Sequence, residues 1–519
     1  MQKQPADLII ENVCVITMNL NQPEAKGIAV LDGKIVGLIR NDDFPWTLTP
    51  NGRRINGQGM TLLPGLIDAH CHLRAQINHN QAVSCGHHDV HSIDEIIHLL
   101  RAKASQLENG SWIKAIGYNP FYLKEQRHPT RWDLDLASLE HPIRLRHITR
   151  HASVLNSRAL SIAGIGPDTI DPPGVTIERE PHSGIPTGVI YGGDTWLSQH
   201  FVTPITSDEL RVGAHKLHQL LLSKGITSVH DATPTNTLFD LYFWMDSMKD
   251  FWSISISLMS NFENHRVLRE FFSKEVMIDL IDKLEIGPIK VVMENIPDLV
   301  PSPDELKKIA LEAAESNIPL AIHTVTPEMI WSAIDAIQYA KDIIPNNLVN
   351  RLEHLSLCPE GLLSDIAELN MMVVTNPSLI YDHGDRYLHD VEPTEYSWLY
   401  RMKSLQNYGI VLAAGSDAPV ATVDPWIAIA TACSRKTKSG QVISLEEKLN
   451  RWDALELYTT KAAKAAGWEM KRGMIHPDFQ ADFILVNQHP LSCSLEKLYK
   501  MQVQQTWIKG NLVYEKQHI

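Results

Sequence analysis

The chain has 519 residues, which is too long for one ordinary domain but fits a large barrel with a smaller domain beside it. Hydrophobic residues make up 44% and charged residues 21%, a balance typical of globular rather than disordered proteins. The net charge of −14 argues against binding to nucleic acids or anionic membranes, because both need a basic surface.

The cysteines and the N-terminal segment indicate the cellular compartment. The six cysteines show no CxxC spacing, so we expect reduced thiols rather than a disulfide framework or a thiolate zinc site. The first residues lack the basic and long apolar regions of a secretory signal. No run approaches the roughly 20 apolar residues of a membrane span. We therefore expect a soluble cytoplasmic protein that binds neither membranes nor nucleic acids.

Both ends of the chain are rich in predicted strands. Near the N-terminus, Asp32-Gly33 supplies a hairpin turn between two apolar runs, and near the C-terminus a turn is predicted at Gly510-Asn511. We predict that residues 1–62 and 470–519 together form one small β-sandwich domain. Two unrelated edge hairpins are the alternative.

The middle of the chain alternates short apolar runs with helical stretches. Eight of the runs are predicted strands, at 61–70, 225–232, 252–260, 287–295, 318–324, 348–356, 370–378 and 409–418. One intervening helix is well marked, since Ser302 can cap it, Pro303 suits its first position and Glu305 completes a capping box. Such alternation predicts an α/β fold, a (β/α)8 TIM barrel over residues 63–469. Residues 73–224 are too long for a loop and are predicted to be largely an inserted subdomain.

Side chains that bind metals occur at the ends of four predicted strands. The first strand leads to His70 and His72, the fifth ends in His323, the sixth in His354 and the eighth in Asp417. Because residues two apart in a strand point to the same side, the first two histidines can reach one ion together. Imidazole and carboxylate are typical ligands of zinc and similar divalent metals. The chain has 24 histidines, so the weight lies in the shared position at strand ends.

A lysine interrupts the fourth predicted strand. Lys290 lies within the apolar segment GPIKVVMEN, where a bare ammonium would be costly to bury. A lysine that snorkels from the strand end, or one that pairs with Glu294, would avoid this cost. From the residues alone, these two structural interpretations are favoured.

These motifs together resemble the amidohydrolase superfamily, and within it the amidohydrolase-3 group that contains the N-substituted formamide deformylases. PGLIDAHCH resembles the HxH motif of the first barrel strand, and IKVVMEN is similar to the strand-four lysine segment. AIHT and RLEH resemble the histidine motifs of strands five and six, and GSDAPVATVDP resembles the strand-eight aspartate segment. HASVLNSRALSIAGI, PTGVI, GITSVHD and the tail through ADFILV extend the similarity over nearly the whole chain.

The resemblance implies a metal-dependent hydrolase of carbon–nitrogen bonds other than peptide bonds, with a binuclear centre. The implied ligands are His70, His72 and Asp417 for one ion and His323 and His354 for the other, with carboxylated Lys290 as the bridge. Two zinc ions are the first expectation, although Mn, Fe, Co or Ni also suit these ligands. A hydroxide bridging the ions would attack an amide of a small molecule, and Asp417 would pass the proton to the leaving nitrogen.

Three segments depart from the family pattern. HTVTPE lacks the Gly-Asp pair that usually follows the strand-five histidine, HPDFQADF lacks a glycine, and GVIYGGD lacks an acidic residue. None of these departures removes an implied metal ligand, but all three put the substrate in question. Opening of a cyclic amide and hydrolysis of an ester are compatible with the same ligands.

Three residues of the predicted insert are candidates for substrate binding. His151, in RHASVLN, matches a histidine of the family's insert, and a surface histidine that caps a helix is the alternative. Trp112 and Tyr118, in SWIKAIGYNP, could line the pocket, although aromatic residues at such spacing more often belong to a core.

Two other functions stay open at this point. A mononuclear deaminase of the same superfamily would usually lack the strand-four lysine and carry a glutamate three residues after the strand-five histidine. That position is Thr326 here, and Glu328 follows two residues later. A non-catalytic binding or scaffolding relative would typically have lost metal ligands. A homo-oligomer is compatible with the sequence.

Overall fold

A computed structural model describes residues 4–40, 45–86, 89–149, 151–172, 174–201, 205–275, 280, 282–295 and 298–517. Its strands in chain order are β1 (Gln4–Ile16), β2 (Glu24–Leu31), β3 (Lys34–Ile39), β4 (Trp46–Asn56), β5 (Thr61–Pro64), β6 (Leu66–Cys71), β7 (Val83–Ser84), β8 (Ile113–Tyr118), β9 (Ile143–His147), β10 (Ala152–Leu155), β11 (Thr176–Arg179), β12 (Pro186–Tyr191), β13 (Ile226–Asp231), β14 (Ser255–Ser260), β15 (Leu284–Val291), β16 (Glu294–Asn295), β17 (Leu299–Val300), β18 (Leu320–Thr324), β19 (Arg351–His354), β20 (Met372–Thr375), β21 (Leu412–Ala414), β22 (Phe483–Val486), β23 (Val503–Ile508) and β24 (Asn511–Glu515).

Helices separate most of these strands. The α-helices of the described residues are α1 (Leu73–Gln81), α2 (Ile93–Ala104), α3 (Arg131–Asp135), α4 (Ser157–Ile162), α5 (Asp194–His200), α6 (Ser207–Ser223), α7 (Leu238–Asp250), α8 (Phe262–Glu275), α9 (Pro303–Glu315), α10 (Pro327–Ile343), α11 (Leu363–Glu368), α12 (Pro377–Asp390), α13 (Met402–Asn407), α14 (Pro425–Ser434), α15 (Arg451–Glu456), α16 (Thr460–Lys464) and α17 (Leu495–Tyr499). The chain divides into two compact units, Met1–Leu73 with His218–Ile519, and Arg74–Leu217.

Eight parallel strands form a barrel in the larger unit. Their order in the sheet is β6, β13, β14, β15, β18, β19, β20 and β21, so that strands next to one another along the chain are also neighbours in the sheet. Each of the eight predicted strands supplies one of them, and the predicted (β/α)8 barrel is confirmed. All residues of β20 and β21 are buried, as expected where side chains fill the barrel on one side and helices cover the other.

The seam between the first and last barrel strands is closed indirectly. At the C-terminal edge, the Asp417 amide donates to the His70 carbonyl at 2.7 Å. Further along, the Ala414 amide donates to the Leu457 carbonyl at 3.0 Å, and the Ile67 amide to the Tyr458 carbonyl at 2.8 Å. A segment that follows the eighth strand by some forty residues therefore satisfies backbone groups that the two strands leave open.

The helix after β15 begins as predicted. Ser302 is its N-cap, and its hydroxyl and the Glu305 carboxylate form the capping box that orders the first turn. Leu306, Ala310 and Ala313 are buried against the barrel, whereas Ile309 is only partly buried. Burial of this stripe fixes which face of α9 covers the strands.

Strands from both ends of the chain meet in one sheet of the larger unit. Its order is β24, β23, β22, β5, β1, β2 and β3, with β4 paired to β1. The two ends join where β5 pairs with β22, in a register that places Thr61 opposite Val486 and Pro64 opposite Phe483. The alternative of two unrelated hairpins is therefore wrong, while the bounds of the domain along the chain stay a prediction.

The two predicted hairpin turns differ in outcome. Asp32 and Gly33 have φ values of 51° and 74° and connect β2 to β3, so this turn is confirmed. At the other end, the turn consists of Lys509 and Gly510, with φ values of 48° and 70°, because Ile508 pairs with Asn511. The predicted turn at Gly510-Asn511 is wrong by one residue, since Asn511 already belongs to β24.

The smaller unit has a sheet and a core of its own. Six strands are ordered β11, β12, β10, β9, β8 and β7. Ile96 and Leu100 of α2 belong to a cluster of buried side chains that also includes Tyr118 and Leu145. An independent core identifies this insert as a folded subdomain rather than a long loop.

The thiols and the helices bear on two further predictions. All six cysteines are free, and Cys71, Cys85 and Cys358 are buried. The absence of disulfides agrees with the scattered spacing in the sequence.

Within the described ranges, no helix combines the length and the apolar character that a membrane crossing requires.

Candidate metal centre

The six predicted ligands all lie at the C-terminal ends of barrel strands. Their positions are His70 and His72 at the end of β6, Lys290 in β15, His323 in β18, His354 in β19 and Asp417 just after β21. Because these strands are parallel and neighbouring, their C-terminal ends meet at one edge of the barrel. The fold thus brings together side chains that are distant in the sequence.

His70, His72 and Asp417 form what we call the aspartate half of the site. The Asp417 Oδ1 atom lies 3.2 Å from His72 Nε2 and 3.6 Å from His70 Nε2. The two imidazoles are nearly perpendicular, with ring centroids 5.3 Å apart. Both Nε2 atoms therefore face the same carboxylate oxygen, as expected for ligands that converge on one ion.

Lys290, His323 and His354 form what we call the lysine half of the site. The His354 ring centroid lies 4.6 Å from that of His323 and 4.6 Å from that of His70. One ligand atom each from His70, His354 and Asp417 lie within 4.8 Å of one another. The two halves are thus continuous at His354.

Strained backbone coincides with the site. His354 has a φ of 70°, the next residue Leu355 has a φ of 50°, and Asp417 has a φ of 57°. Residues other than glycine rarely adopt the left-handed region, and they do so mainly where the surrounding structure enforces it. The strain therefore falls on one predicted ligand from each half.

The protonation of these side chains suits metal binding. Burial, together with neighbouring positive groups, holds the pKa values of His70, His323 and His354 below the ordinary value for histidine. For Asp417, burial would raise the pKa, but His354 and the hydrogen bond with His72 outweigh it and lower the pKa. Neutral imidazoles and an ionised carboxylate are the forms that bind metals.

Lys290 is enclosed rather than exposed. Its side chain is only 3% accessible, and burial lowers the pKa of its ammonium to about 8. In the part of the chain that the structure describes, its Nζ atom makes no hydrogen bond, and Glu294 is exposed. The interpretations of a snorkelling lysine and of a Lys290–Glu294 pair are therefore wrong.

The buried donor set fits a metal centre. Among the described residues, His70 Nε2 and Lys290 Nζ are both buried without a hydrogen-bond partner. A buried polar atom without a partner destabilises the fold by about 1–3 kcal/mol. A cation at the first atom, and a carboxylated amine at the second, would remove this cost.

Asp68 is a site residue that the sequence interpretation missed. Its carboxylate accepts hydrogen bonds from the His70 amide at 3.2 Å, the Ser416 amide at 2.9 Å and the Ser416 hydroxyl at 2.6 Å. Burial raises its pKa to about 6. Asp68 thereby ties β6 to the loop that carries Asp417. Its position two residues before His70, on the same face of the strand, was the available signal.

Arg351 and Glu353 are a second missed pair. Arg351 donates to both carboxylate oxygens of Glu353, at 2.8 and 3.1 Å, and Glu353 contacts His70 Nδ1 through its Oε2 atom. Burial would raise the Glu353 pKa, but Arg351 outweighs it and lowers the pKa. Both side chains are buried, although they lie in the short strand RLEH. Two opposite charges at alternate positions of a buried strand were the sign in the sequence that they pair.

Neutral groups support two of the remaining imidazoles. His72 Nδ1 lies 3.1 Å from the Thr233 hydroxyl, and His354 Nδ1 lies 2.7 Å from Asn376 Oδ1. Asn376 donates through its Nδ2 atom to the Gly415 carbonyl at 2.9 Å, which fixes the orientation of its amide. No sequence motif pointed to Thr233 or Asn376, because their roles depend on which strands become neighbours.

The predicted substrate-binding residues lie in the smaller unit. Tyr118 is fully buried, and its hydroxyl hydrogen-bonds to His128 Nδ1 at 2.7 Å. Trp112 is partly buried against a hydrophobic cluster. His151 is exposed, and Asn156 rather than His151 caps the following helix. The roles of Trp112, Tyr118 and His151 in substrate binding stay predictions.

The residues that bear on the deaminase alternative begin a helix. Thr326 is the N-cap of α10 and accepts a hydrogen bond from the Met329 amide. Glu328 lies in the first turn, where an acidic residue interacts favourably with the helix dipole. Ordinary helix-starting roles therefore account for both residues.

Comparison with known proteins gives a consistent result over most of the chain. Residues 53–514 match the model of the amidohydrolase family. The chain is 27% identical over 542 residues to the N-substituted formamide deformylase of Arthrobacter pascens, and the alignment covers 99% of both proteins. It is 26% identical over 545 residues to the protein LONG AFTER FAR-RED 3 of Arabidopsis thaliana, covering 98% of this chain and 92% of the relative.

Solved structures agree with the fold. An uncharacterized metal-dependent hydrolase from Pyrococcus horikoshii superposes with a TM-score of 0.72 at 19% identity. The superposition covers 94% of this chain and 99% of the other. At this level of identity, the similarity supports the barrel architecture alone.

Proposed function

Because the chain belongs to the amidohydrolase family of metal-dependent hydrolases, we propose that it cleaves a non-peptide amide bond of a small molecule at two divalent metal ions. The chain is a hydrolase that acts on carbon–nitrogen bonds other than peptide bonds. The observation that carries the proposal is the convergence of buried ligand atoms from His70, His354 and Asp417 within 4.8 Å.

Each half of the site would hold one ion. The aspartate half offers two Nε2 atoms and a carboxylate oxygen that face one another. The lysine half offers His323 and His354, whose ring centroids lie 4.6 Å apart in an edge-to-face arrangement. Zinc is the first candidate for both positions, because imidazole and carboxylate ligands suit it.

Lys290 would bridge the two ions after carboxylation. Burial lowers the pKa of this amine to about 8, so more of it is uncharged near neutral pH than of an ordinary lysine, and the uncharged amine can react with carbon dioxide. The reaction forms an N–C bond, releases one proton and leaves a carbamate whose single negative charge is shared by two oxygens. Those two oxygens could supply a ligand to each half, which the single nitrogen of the bare amine could not.

The proposed reaction adds water across the amide. Bound divalent cations would supply Lewis acidity, which lowers the pKa of a water from about 15.7 to about 7 and polarises the amide carbonyl. Asp417 accepts the proton that this water loses and delivers it to the leaving nitrogen. A new C–O bond replaces the C–N bond, and the products are a carboxylate and an amine.

N-formyl and N-acyl amines are the proposed substrate class. The deformylase of Arthrobacter pascens aligns with nearly the whole chain, and its name gives N-substituted formamides as its substrates. The segment HTVTPE after β18 departs from the family pattern, so the substituent on nitrogen need not be the same.

Metal analysis followed by a substrate screen tests the proposal. We expect purified protein to contain two divalent ions per chain, measured by plasma mass spectrometry, and to release amines from N-formyl or N-acyl amines. Cyclic amides and esters belong in the same screen, because the same attack would open them. One ion per chain that bicarbonate does not affect, with ammonia released from an aminated ring, would instead indicate the mononuclear deaminase.

A further inference from the structure

The imidazoles of His70, His72 and His354 differ in the hydrogen-bond partner of their Nδ1 atoms. His70 Nδ1 contacts the Glu353 carboxylate, whereas His72 Nδ1 contacts the Thr233 hydroxyl at 3.1 Å. In the lysine half, His354 Nδ1 contacts the Asn376 amide oxygen at 2.7 Å. His70 is thus the one of these three rings whose partner can carry a full negative charge.

The carboxylate beside His70 is held in its ionised form. Arg351 donates to Oε1 through Nε at 2.8 Å and to Oε2 through Nη2 at 3.1 Å. An ionised carboxylate can only accept hydrogen bonds, so His70 donates to Glu353 through Nδ1. The lone pair of His70 is then on Nε2, the atom that faces Asp417 at 3.6 Å.

The guanidinium of Arg351 has no freedom to move away. Besides Glu353, it donates to the Ala69 carbonyl at 2.9 Å, to His230 Nδ1 at 3.1 Å and to the Ala465 carbonyl at 3.2 Å. These contacts use all five of its N–H donors. Arg351 is 1% exposed and Glu353 is fully buried, so water does not compete for either group.

The lysine half lacks a comparable support. In the described part of the chain, Lys290 Nζ is buried without a hydrogen-bond partner. His354 has a neutral partner in Asn376. An anionic acceptor on the outer nitrogen of a ligand histidine fixes its ring and makes the inner nitrogen a stronger donor, and this effect is worth about 10–100-fold in metal affinity.

We propose that the Arg351–Glu353 pair makes the two ion positions unequal, so that the aspartate half loads first and retains its ion longer. Both residues are positioning residues, because they act through His70 and do not contact the ion. The inference rests on the proposed two-metal function. The inference adds the order in which the two halves bind their metal ions. The identity of the ligands alone does not determine this order.

Chelator competition on the metal-free protein tests this order. We expect wild-type protein to take up Zn²⁺ in two resolved steps. In Glu353→Gln, we expect the affinity of the first step to fall by about 10–100-fold. The amide of the glutamine is neutral, so His70 loses its negatively charged hydrogen-bond acceptor. The matched control Thr233→Val removes the neutral partner of the other histidine in the same half and lowers that affinity by only about threefold.

Two further measurements separate positioning from damage to the fold. Circular dichroism and thermal unfolding of the metal-free variants report whether each one folds. The visible spectrum of one equivalent of Co²⁺ reports the ligand field of the first position, and we expect it to change in Glu353→Gln but not in Thr233→Val. If Glu353→Gln does not fold, Arg351→Lys replaces it, since lysine keeps the charge but loses the two-pronged contact.

The outcomes distinguish the inference from the proposed function. Wild-type protein that takes up no divalent ion would contradict the proposed function. Wild-type protein that binds two ions, with a first step that a folded Glu353→Gln variant leaves unchanged, would contradict this inference alone. Equal weakening of both steps would also contradict it, because the pair would then support the whole site rather than one half.

Discussion

The two halves of the site differ in how many hydrogen bonds hold their side chains in place. In the aspartate half, the His70 amide bonds to Asp68, its ring contacts Glu353, and the Asp417 amide bonds to the His70 carbonyl. In the lysine half, the buried Lys290 Nζ makes no hydrogen bond to any described residue. Hydrogen bonds therefore hold the aspartate half in place, whereas Lys290 of the lysine half has no hydrogen-bond partner among the described residues.

The largest expected effect comes from the aspartate half. Asp417→Asn keeps the size of the side chain but removes the group proposed to carry the proton, so we expect kcat/KM to fall by about 10²–10⁴-fold. Steady-state kinetics on the best substrate, with the metal content measured in parallel, provide the test. A variant that retains both ions and turns over normally would exclude this role of Asp417.

In the lysine half, Lys290→Met should separate stability from metal binding. The variant cannot be carboxylated, so we expect the metal content to fall from two ions to one and activity to fall with it. Because a buried amine without a hydrogen-bond partner is removed, the metal-free protein should become more stable to unfolding by about 1–3 kcal/mol. Urea unfolding of metal-free protein measures this gain. A loss of stability would show that Lys290 has a structural partner.

A third variant tests how closely the aspartate half is packed. A Cβ atom at Gly415 would lie 2.6 Å from the His70 Cα atom and closer still to its backbone nitrogen. Backbone atoms cannot yield easily, so Gly415→Ala should lower the free energy of unfolding by at least about 1–3 kcal/mol and weaken metal binding. Gly361→Ala is the matched control, because nothing lies within 4 Å of its added Cβ atom. Equal stability of the two variants would contradict the close packing.

The smallest expected effect lies in the other unit. Tyr118→Phe removes one hydrogen bond to His128, so we expect a loss of about 0.5–1.5 kcal/mol in the free energy of unfolding and an unchanged metal content. Thermal unfolding and metal analysis check both expectations. Unchanged stability with a raised KM would instead place Tyr118 among the residues that bind substrate.

The sequence predicted the barrel well because its signals are local. Eight apolar runs, a capping box at Ser302 and Glu305, and side chains that bind metals at strand ends can each be found without knowing which strands pair. The hairpin at Asp32-Gly33 is local as well. The turn at Lys509-Gly510 was misplaced by one residue because Gly510 and Asn511 are both common turn residues.

The supporting residues could not be predicted in the same way. Glu353 contacts His70 across the barrel, and Asn376 reaches His354 from a neighbouring strand. Such roles depend on the register in which distant strands pair, and this register cannot be deduced from a single sequence. Lys290 shows the same limit, because its burial follows from the closed barrel rather than from its own segment.

The indirect closure of the barrel seam has a consequence for synthesis on the ribosome. The carbonyls of Leu457 and Tyr458 complete the contact between the first and last strands, and β5 must wait for β22 before it has a partner on that side. His70 and His72 emerge early from the ribosome. The candidate metal centre cannot assemble, however, until nearly all later residues have emerged. We expect the growing polypeptide to spend most of its synthesis with open strand edges, and thus to depend on chaperones until the last tenth of the chain is made.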